Sequence, residues 1–151
     1  MHFNSTTDYA VLIMIHLTKH KRTHSTGELS KHISVSKRYV ASIAAKLRDG
    51  HLVTASKGQV GGYCLAKDPS SISVYDIVTL MEGKIDFLKH TGEQLQKHLP
   101  LSMAYKGLET HIHNYLKAMT LDVLAKEPDD IWHQLMSKKI RIYLSTFPIE
   151  P

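Results

Sequence analysis

The chain has 151 residues, 42% of them hydrophobic and 22% charged, with a formal net charge of +5 and a pI near 9.3. These proportions suit a folded globular protein rather than a disordered one, and the length allows one main core with room for an appended oligomerisation arm. A single cysteine, Cys64, excludes an internal disulfide framework and fits a reducing cytoplasm.

No apolar run approaches the roughly 20 residues of a membrane span. The run Tyr9–Leu17 is short, carries His16 and lacks the cleavage pattern of a secretory leader. The first helix is expected to begin in Ser5-Thr6-Thr7, where a hydroxyl can cap and Asp8 meets the positive end of the helix dipole. Tyr9, Leu12, Ile13, Ile15 and Leu17 make it a largely buried helix that ends in the polar stretch Lys19–His24. Ser25-Thr26-Gly27-Glu28 has capping-box spacing and opens a second helix, although Gly27 costs some helix propensity. A third helix follows Ile33-Ser34-Val35, capped by Ser34 or Ser36. Tyr39, Val40, Ile43, Ala44 and Leu47 form its inward face. Its other face carries Ser36, Lys37, Arg38, Ala41, Ser42 and Ala45, polar and basic in the first turn and small beyond it. Gly50 stands where a left-handed C-cap glycine belongs.

The period then changes. Residues 52–55 and 63–66 are strand-competent runs around Lys57-Gly58-Gln59-Val60-Gly61-Gly62, whose glycines permit a tight hairpin tip. After Asp68-Pro69, Ser70 or Ser73 should cap a fourth helix over 74–81, closed by Gly83. Residues 84–105 carry no clear pattern, with Gly92 and Pro100 as breakers. Leu108, Ile112, Tyr115, Met119 and Val123 outline a long amphipathic helix, and a last helical pattern runs from Ile131 to Leu144.

A capped helix, a tight turn, a basic helix and a glycine-tipped hairpin follow the order of a winged helix-turn-helix, which lays one helix in a DNA groove with a β-hairpin beside it. The fold class is therefore mainly α with one small hairpin. Between Ser25 and Lys67 lie Lys31, Lys37, Arg38, Lys46, Arg48, Lys57 and Lys67 against only Glu28 and Asp49. That segment holds the whole net charge of +5, as an electrostatic footprint on phosphate should. The competing reading, a helix-turn-helix used as a protein-interaction module, leaves the small face of the third helix and the basic hairpin unexplained. No phosphate loop, nucleophile elbow or His-Glu metal helix suggests an enzyme.

His16 and His20 have i,i+4 chelating spacing, but Lys19, Lys21 and Arg22 crowd the second one with positive charge. His111 and His113 are two apart and splay onto different helix faces. Solvated histidines are the default and no metal is expected. Cys64 alternates with Tyr63 and Leu65, so it points away from the face those two bury. A small half-buried residue is expected there, and a redox-responsive thiol is the alternative.

Ser5-Thr6-Thr7-Asp8-Tyr9-Ala10, Ile33 through Val40, Leu47 through Val53, Lys57-Gly58-Gln59-Val60-Gly61-Gly62-Tyr63, Ile72 through Gly83 and Thr120-Leu121-Asp122-Val123-Leu124 together resemble the winged-helix bacterial repressors typified by IscR, NsrR and CymR, the Rrf-two superfamily. The resemblance covers about residues 1–125. It implies a cytoplasmic homodimer that binds a near-palindromic operator in double-stranded DNA, with the third helix in the major groove and the wing in the minor groove. Residues 1–83 would form the DNA-binding domain, and 84–151 a helical dimerisation and effector region. Carried onto this sequence, Ser36, Lys37, Arg38, Tyr39 and Ser42 would meet bases and nearby phosphates. Lys57, Gln59, Gly61 and Gly62 would form the probing wing, and Ser25 and Thr26 would present backbone N–H groups to phosphate. Leu108, Ile112, Tyr115, Met119 and Val123 would line the dimer interface.

Three departures stand out. Family members commonly carry Glu where Ala41 stands, and Arg at the place of Lys57, so this operator should differ. Cluster-binding relatives carry three cysteines in the segment equivalent to about 84–107, where this chain has none. One cysteine cannot supply a set of four ligands that are mostly thiolates, so no iron–sulfur cofactor, and no other, is expected. The effector stays open among a partner protein, a small molecule and oxidation of Cys64.

Overall fold

The computed structural model describes residues 4–58, 61–87 and 99–126. Its first helix, α1 (Ser5–Lys19), is capped by Asn4, one residue ahead of the hydroxyl cluster, whose Oδ1 accepts the Thr6 N–H at 3.2 Å. Ala10, Ile13, Met14 and Leu17 form one buried stripe. The helix is largely buried as expected, and of the apolar residues named for it only Leu12, on the opposite face, is exposed, at 45%.

Helix α2 (Thr26–Ile33) starts with the expected capping box and ends at Ser34, which takes the left-handed conformation with φ 56°. Ser36, not Ser34, therefore caps α3 (Lys37–Asp49). Val40, Ile43, Ala44 and Leu47 of α3 are buried against α1 and α2. Gly50 does not adopt the left-handed C-cap. Its φ and ψ are −82° and 6°, and His51 makes the turn instead with φ 56°. The need for glycine at 50 comes from packing: an added Cβ would fall 2.4 Å from Leu80 Cδ2 on the fourth helix.

Strands β1 (Val53–Ser56) and β2 (Gly62–Leu65) pair antiparallel, with Val53 opposite Leu65 and Thr54 opposite Cys64. Tyr63 and Leu65 turn toward the core, as the period-two pattern requires. A turn of 3₁₀ helix, Pro69–Ser71, leads into α4 (Val74–Glu82). Ser73 and Asp76 form the cap of α4, and Gly83 closes it with φ 88°. The Glu82 carboxylate returns to the start of α1, accepting the Asn4 N–H at 2.7 Å and the Thr7 hydroxyl.

The long helix α5 spans Leu99–Ala118. Pro100 lies in its first turn, where the missing N–H has no intrahelical acceptor to lose, so it does not act as a breaker. The expected stripe from Leu108 to Val123 is not on one helix. The chain breaks at Met119 and Thr120, whose backbone pairs with the strand-like stretch before α4: Val74 N–H donates to Met119 C=O at 2.8 Å, and Leu121 N–H to Ile72 C=O at 2.9 Å. A separate short helix, α6 (Leu121–Leu124), then buries Leu121 completely in the core formed by α1, α3 and α4. The helical pattern Ile131–Leu144 lies outside the described residues, as do Gly92 and Gln59. Among the described residues, no helix is long and apolar enough to cross a membrane.

Candidate nucleic-acid interface

Two helix starts and a hairpin form the basic edge. At the start of α2 the Ser25 Oγ accepts the Glu28 N–H at 3.2 Å, and Glu28 Oε2 accepts the Ser25 N–H at 2.8 Å. The box fixes the direction of α2 and holds the Ser25 N–H on a carboxylate. The N–H groups of Thr26 and Gly27 come next, in a first turn whose α-helical geometry supplies no internal acceptor. A hydrogen bond from Arg22, with further bonds from Ser25, holds the Glu28 carboxyl down at about 2, so it is ionised throughout the neutral range. Arg22 spends its charge there, with Nη2 2.8 Å from Glu28 Oε1.

The other cations are differently placed. The Lys37 side chain runs back over α2, its Cε and Nζ 3.4 and 3.7 Å from where a Cβ on Gly27 would be. An ammonium and a helix N-terminus thus converge, two features that each attract phosphate. Arg38 is exposed in the first turn of α3. Arg48, by contrast, folds onto Asp49 at 2.8 Å at the far end of the helix. Among the described residues Lys37, Arg38 and Lys57 form no ion pair, so the edge keeps its positive charge where a groove would be entered.

Two side chains assigned to DNA from the sequence have work inside the fold. Ser36 Oγ accepts the Tyr39 N–H at 3.2 Å as the α3 cap. Tyr39 is turned inward: its hydroxyl is 2.6 Å from Thr6 Oγ1 and its ring meets Tyr9 edge-on at 5.8 Å. The helical period that places Val40 and Ile43 inside carries Tyr39 with them, so this residue braces α3 against α1 rather than facing outward. Ser42 is exposed, its hydroxyl donating to the Tyr39 C=O at 3.0 Å.

On the wing, Lys57 is exposed where β1 gives way to the tip, and Gly58 takes φ 110°. Gly62 is required by proximity. The wing strand docks on the turn before α2, where the N–H groups of His24 and Tyr63 each donate to the other residue's C=O at 2.9 Å. A Cβ on Gly62 would meet the His24 carbonyl oxygen at 2.2 Å. This docking fixes the hairpin beside α3, and the sequence carried no sign of it beyond the paired glycines. Cys64 projects from the opposite face of β2, with Sγ 3.1 Å from Thr54 Oγ1.

Known proteins share the fold that carries these residues. The Rrf2 family, described as iron-dependent transcriptional regulators, matches residues 3–127. The chain belongs to the Rrf2 family of transcriptional regulators. Its Rrf2 relatives include IscR of Yersinia pseudotuberculosis, 26% identical over 134 residues that cover 85% of this chain and 82% of that protein. A putative HTH-type regulator of Azotobacter vinelandii is 26% identical over 126 residues, covering 80% and 77%. Among solved structures, CymR of B. subtilis, the global cysteine regulator, superposes with a TM-score of 0.70 at 24% identity, over 85% of this chain and 99% of that one. T. potens IscR superposes with a TM-score of 0.66 at 23% identity, over 88% and 96%. These Rrf2 relatives are regulators, not enzymes.

The iron of the family description does not fit this chain as a cluster. The single thiol, Cys64, lies on the outer face of the wing against Thr54, and residues 84–107 contain no cysteine. A cluster held mostly by thiolates has no ligand set here.

Proposed function

We propose that this Rrf2 protein is a cytoplasmic homodimeric repressor that binds a near-palindromic operator. The observation that carries the reading is the convergence of Lys37 and the α2 N-terminus beside the wing, with Arg38 exposed in the same turn of α3 as Lys37. The helix start and Lys37 engage one phosphate, Arg38 and Ser42 address base edges in the major groove, and Lys57 on the wing follows the minor groove.

Dimerisation rests on apolar surface. A groove of about 440 Å³ opens between α1, α4 and α5, walled by Val11, Leu12, Ile15, Val78, Tyr115 and Leu116. Leu12 and Tyr115 are 45% and 57% exposed, and Leu108 of α5 is 45% exposed. Contiguous apolar surface of this kind marks an interaction site. A second copy that supplies its own α5 stripe covers groove and stripe together in an isologous contact. Met119 also lines the groove, and the proposed interface extends from it to Ile112 and Val123.

The test is fluorescence anisotropy on an operator selected from random duplexes and on a scrambled duplex, at several salt concentrations. Binding should weaken steeply with salt. Arg38→Ala should lose about 1–3 kcal/mol on the operator and relax discrimination at one position per half-site. Salt-independent binding, or an Arg38→Ala protein with wild-type affinity and selectivity, would refute the assignment.

A further inference from the structure

The molecule gathers four imidazoles that the DNA-binding reading does not use. His16 comes from α1 and His20 is its C-cap, His24 comes from the turn that docks the wing, and His32 from the last turn of α2. The His16 ring centre is 4.0 Å from that of His32, 4.5 Å from that of His20 and 4.6 Å from that of His24. In sequence three of the four repeat every fourth residue. The fourth joins them only because α2 packs across α1.

We propose that His16 and His24, with His20 and His32 as further donors, bind a divalent transition metal of the imidazole-preferring kind, such as Zn²⁺. His16 Nε2 and His24 Nδ1 stand 3.4 Å apart. Two nitrogens each about 2.0–2.1 Å from a tetrahedral zinc stand roughly that far from one another. His24 Nε2 lies 3.1 Å from the His20 carbonyl oxygen, which can only accept, so Nε2 donates there and Nδ1 is the ring nitrogen left facing His16. A ligating histidine whose other ring nitrogen donates to a backbone carbonyl is the usual support of such sites. His24 is 2% exposed, so its ring is held in place.

Of the nearby cations, Arg22 is turned onto Glu28. Among the described residues no three donors already surround one point. The His16–His24 pair is preset, and side-chain rotation of exposed His20 and His32 completes the shell. The site differs from a thiolate cluster in ligands and in place, and it joins α1, α2 and the wing turn at one ion.

The experiment uses the full chain, stripped with a chelator and titrated with Zn²⁺ against a chromophoric zinc indicator, with Co²⁺ absorption reporting geometry. One metal per protomer and the visible bands of tetrahedral Co²⁺ are expected. His16→Gln should weaken Zn²⁺ by at least the roughly 10–100-fold that losing a supporting partner of a ligand costs. Because His16 is partly buried, the exposed pair His20→Gln/His32→Gln provides a second variant that spares the core and should weaken binding likewise. His111→Gln/His113→Gln should bind as wild type. If the wild type fails to compete with a micromolar indicator, or if both cluster variants retain wild-type affinity, the proposal is overturned.

Discussion

Replacing Gly62 with alanine tests how the wing is held. The added Cβ would meet the His24 carbonyl oxygen at 2.2 Å, its carbon at 2.5 Å and the Ser25 nitrogen at 2.9 Å, all backbone atoms that cannot swing aside. Strand β2 must therefore lift off the turn, giving up the two 2.9 Å hydrogen bonds between His24 and Tyr63. At about 0.5–1.5 kcal/mol net for each bond, the cost is about 1–3 kcal/mol. For a chain of this length that corresponds to a fall in Tm of roughly 2–12 °C. Calorimetry reads the loss, and amide hydrogen exchange locates it at His24 and Tyr63. Gly58→Ala is the comparator: its φ of 110° strains an alanine, but a Cβ there meets nothing within 4 Å. It should destabilise the tip and leave the His24 and Tyr63 amides protected. A Gly62→Ala protein with wild-type Tm and protected amides would refute this account of the docking.

Leu12→Glu places a carboxylate on the exposed wall of the α1–α5 groove and should yield folded monomers by analytical ultracentrifugation; a persistent dimer places the interface elsewhere. Tyr39→Phe removes the bond to Thr6 and should cost about 0.5–1.5 kcal/mol in urea unfolding while leaving operator affinity unchanged; a large affinity loss would return Tyr39 to the DNA surface. Glu28 is held at about 2, below its ordinary 4.5, so the unfolded chain takes up a proton that the folded chain does not as pH falls between those values. Stability should decline over that window, and Glu28→Gln should flatten that part of the urea-midpoint profile.

Features written in local chemistry were the legible ones. The Ser25–Glu28 box, the Ser73 cap, the inward stripe of α3 and the glycine-tipped hairpin each follow from residues within a few positions of one another. Gly50 shows the limit: the same glycine answers to a left-handed cap or to a close neighbour, and the neighbour, Leu80, is 30 positions away. The helix expected from Leu108 to Val123 failed for a related reason. Its apolar spacing continues across Thr120, while the backbone there is claimed by Ile72 and Val74. On the interface, Arg38 and Lys57 were readable as exposed cations. The inward turn of Tyr39 was already in the helical period, against the DNA role that the resemblance gave it, whereas the meeting of His32 with α1 depends on how helices cross, which periodicity does not encode.

The stitch between residues 72–74 and 119–121 makes the chain between α4 and α6 a closed excursion. Its return point is tied to residues 72–74 and not to α2, α3 or the wing. Doubling such a loop adds only about 0.6 kcal/mol of closure entropy. That stretch can be lengthened, shortened or refitted with different side chains while the basic edge keeps its shape. A scaffold built this way can exchange one part like a cartridge and leave the other part's surface as it was.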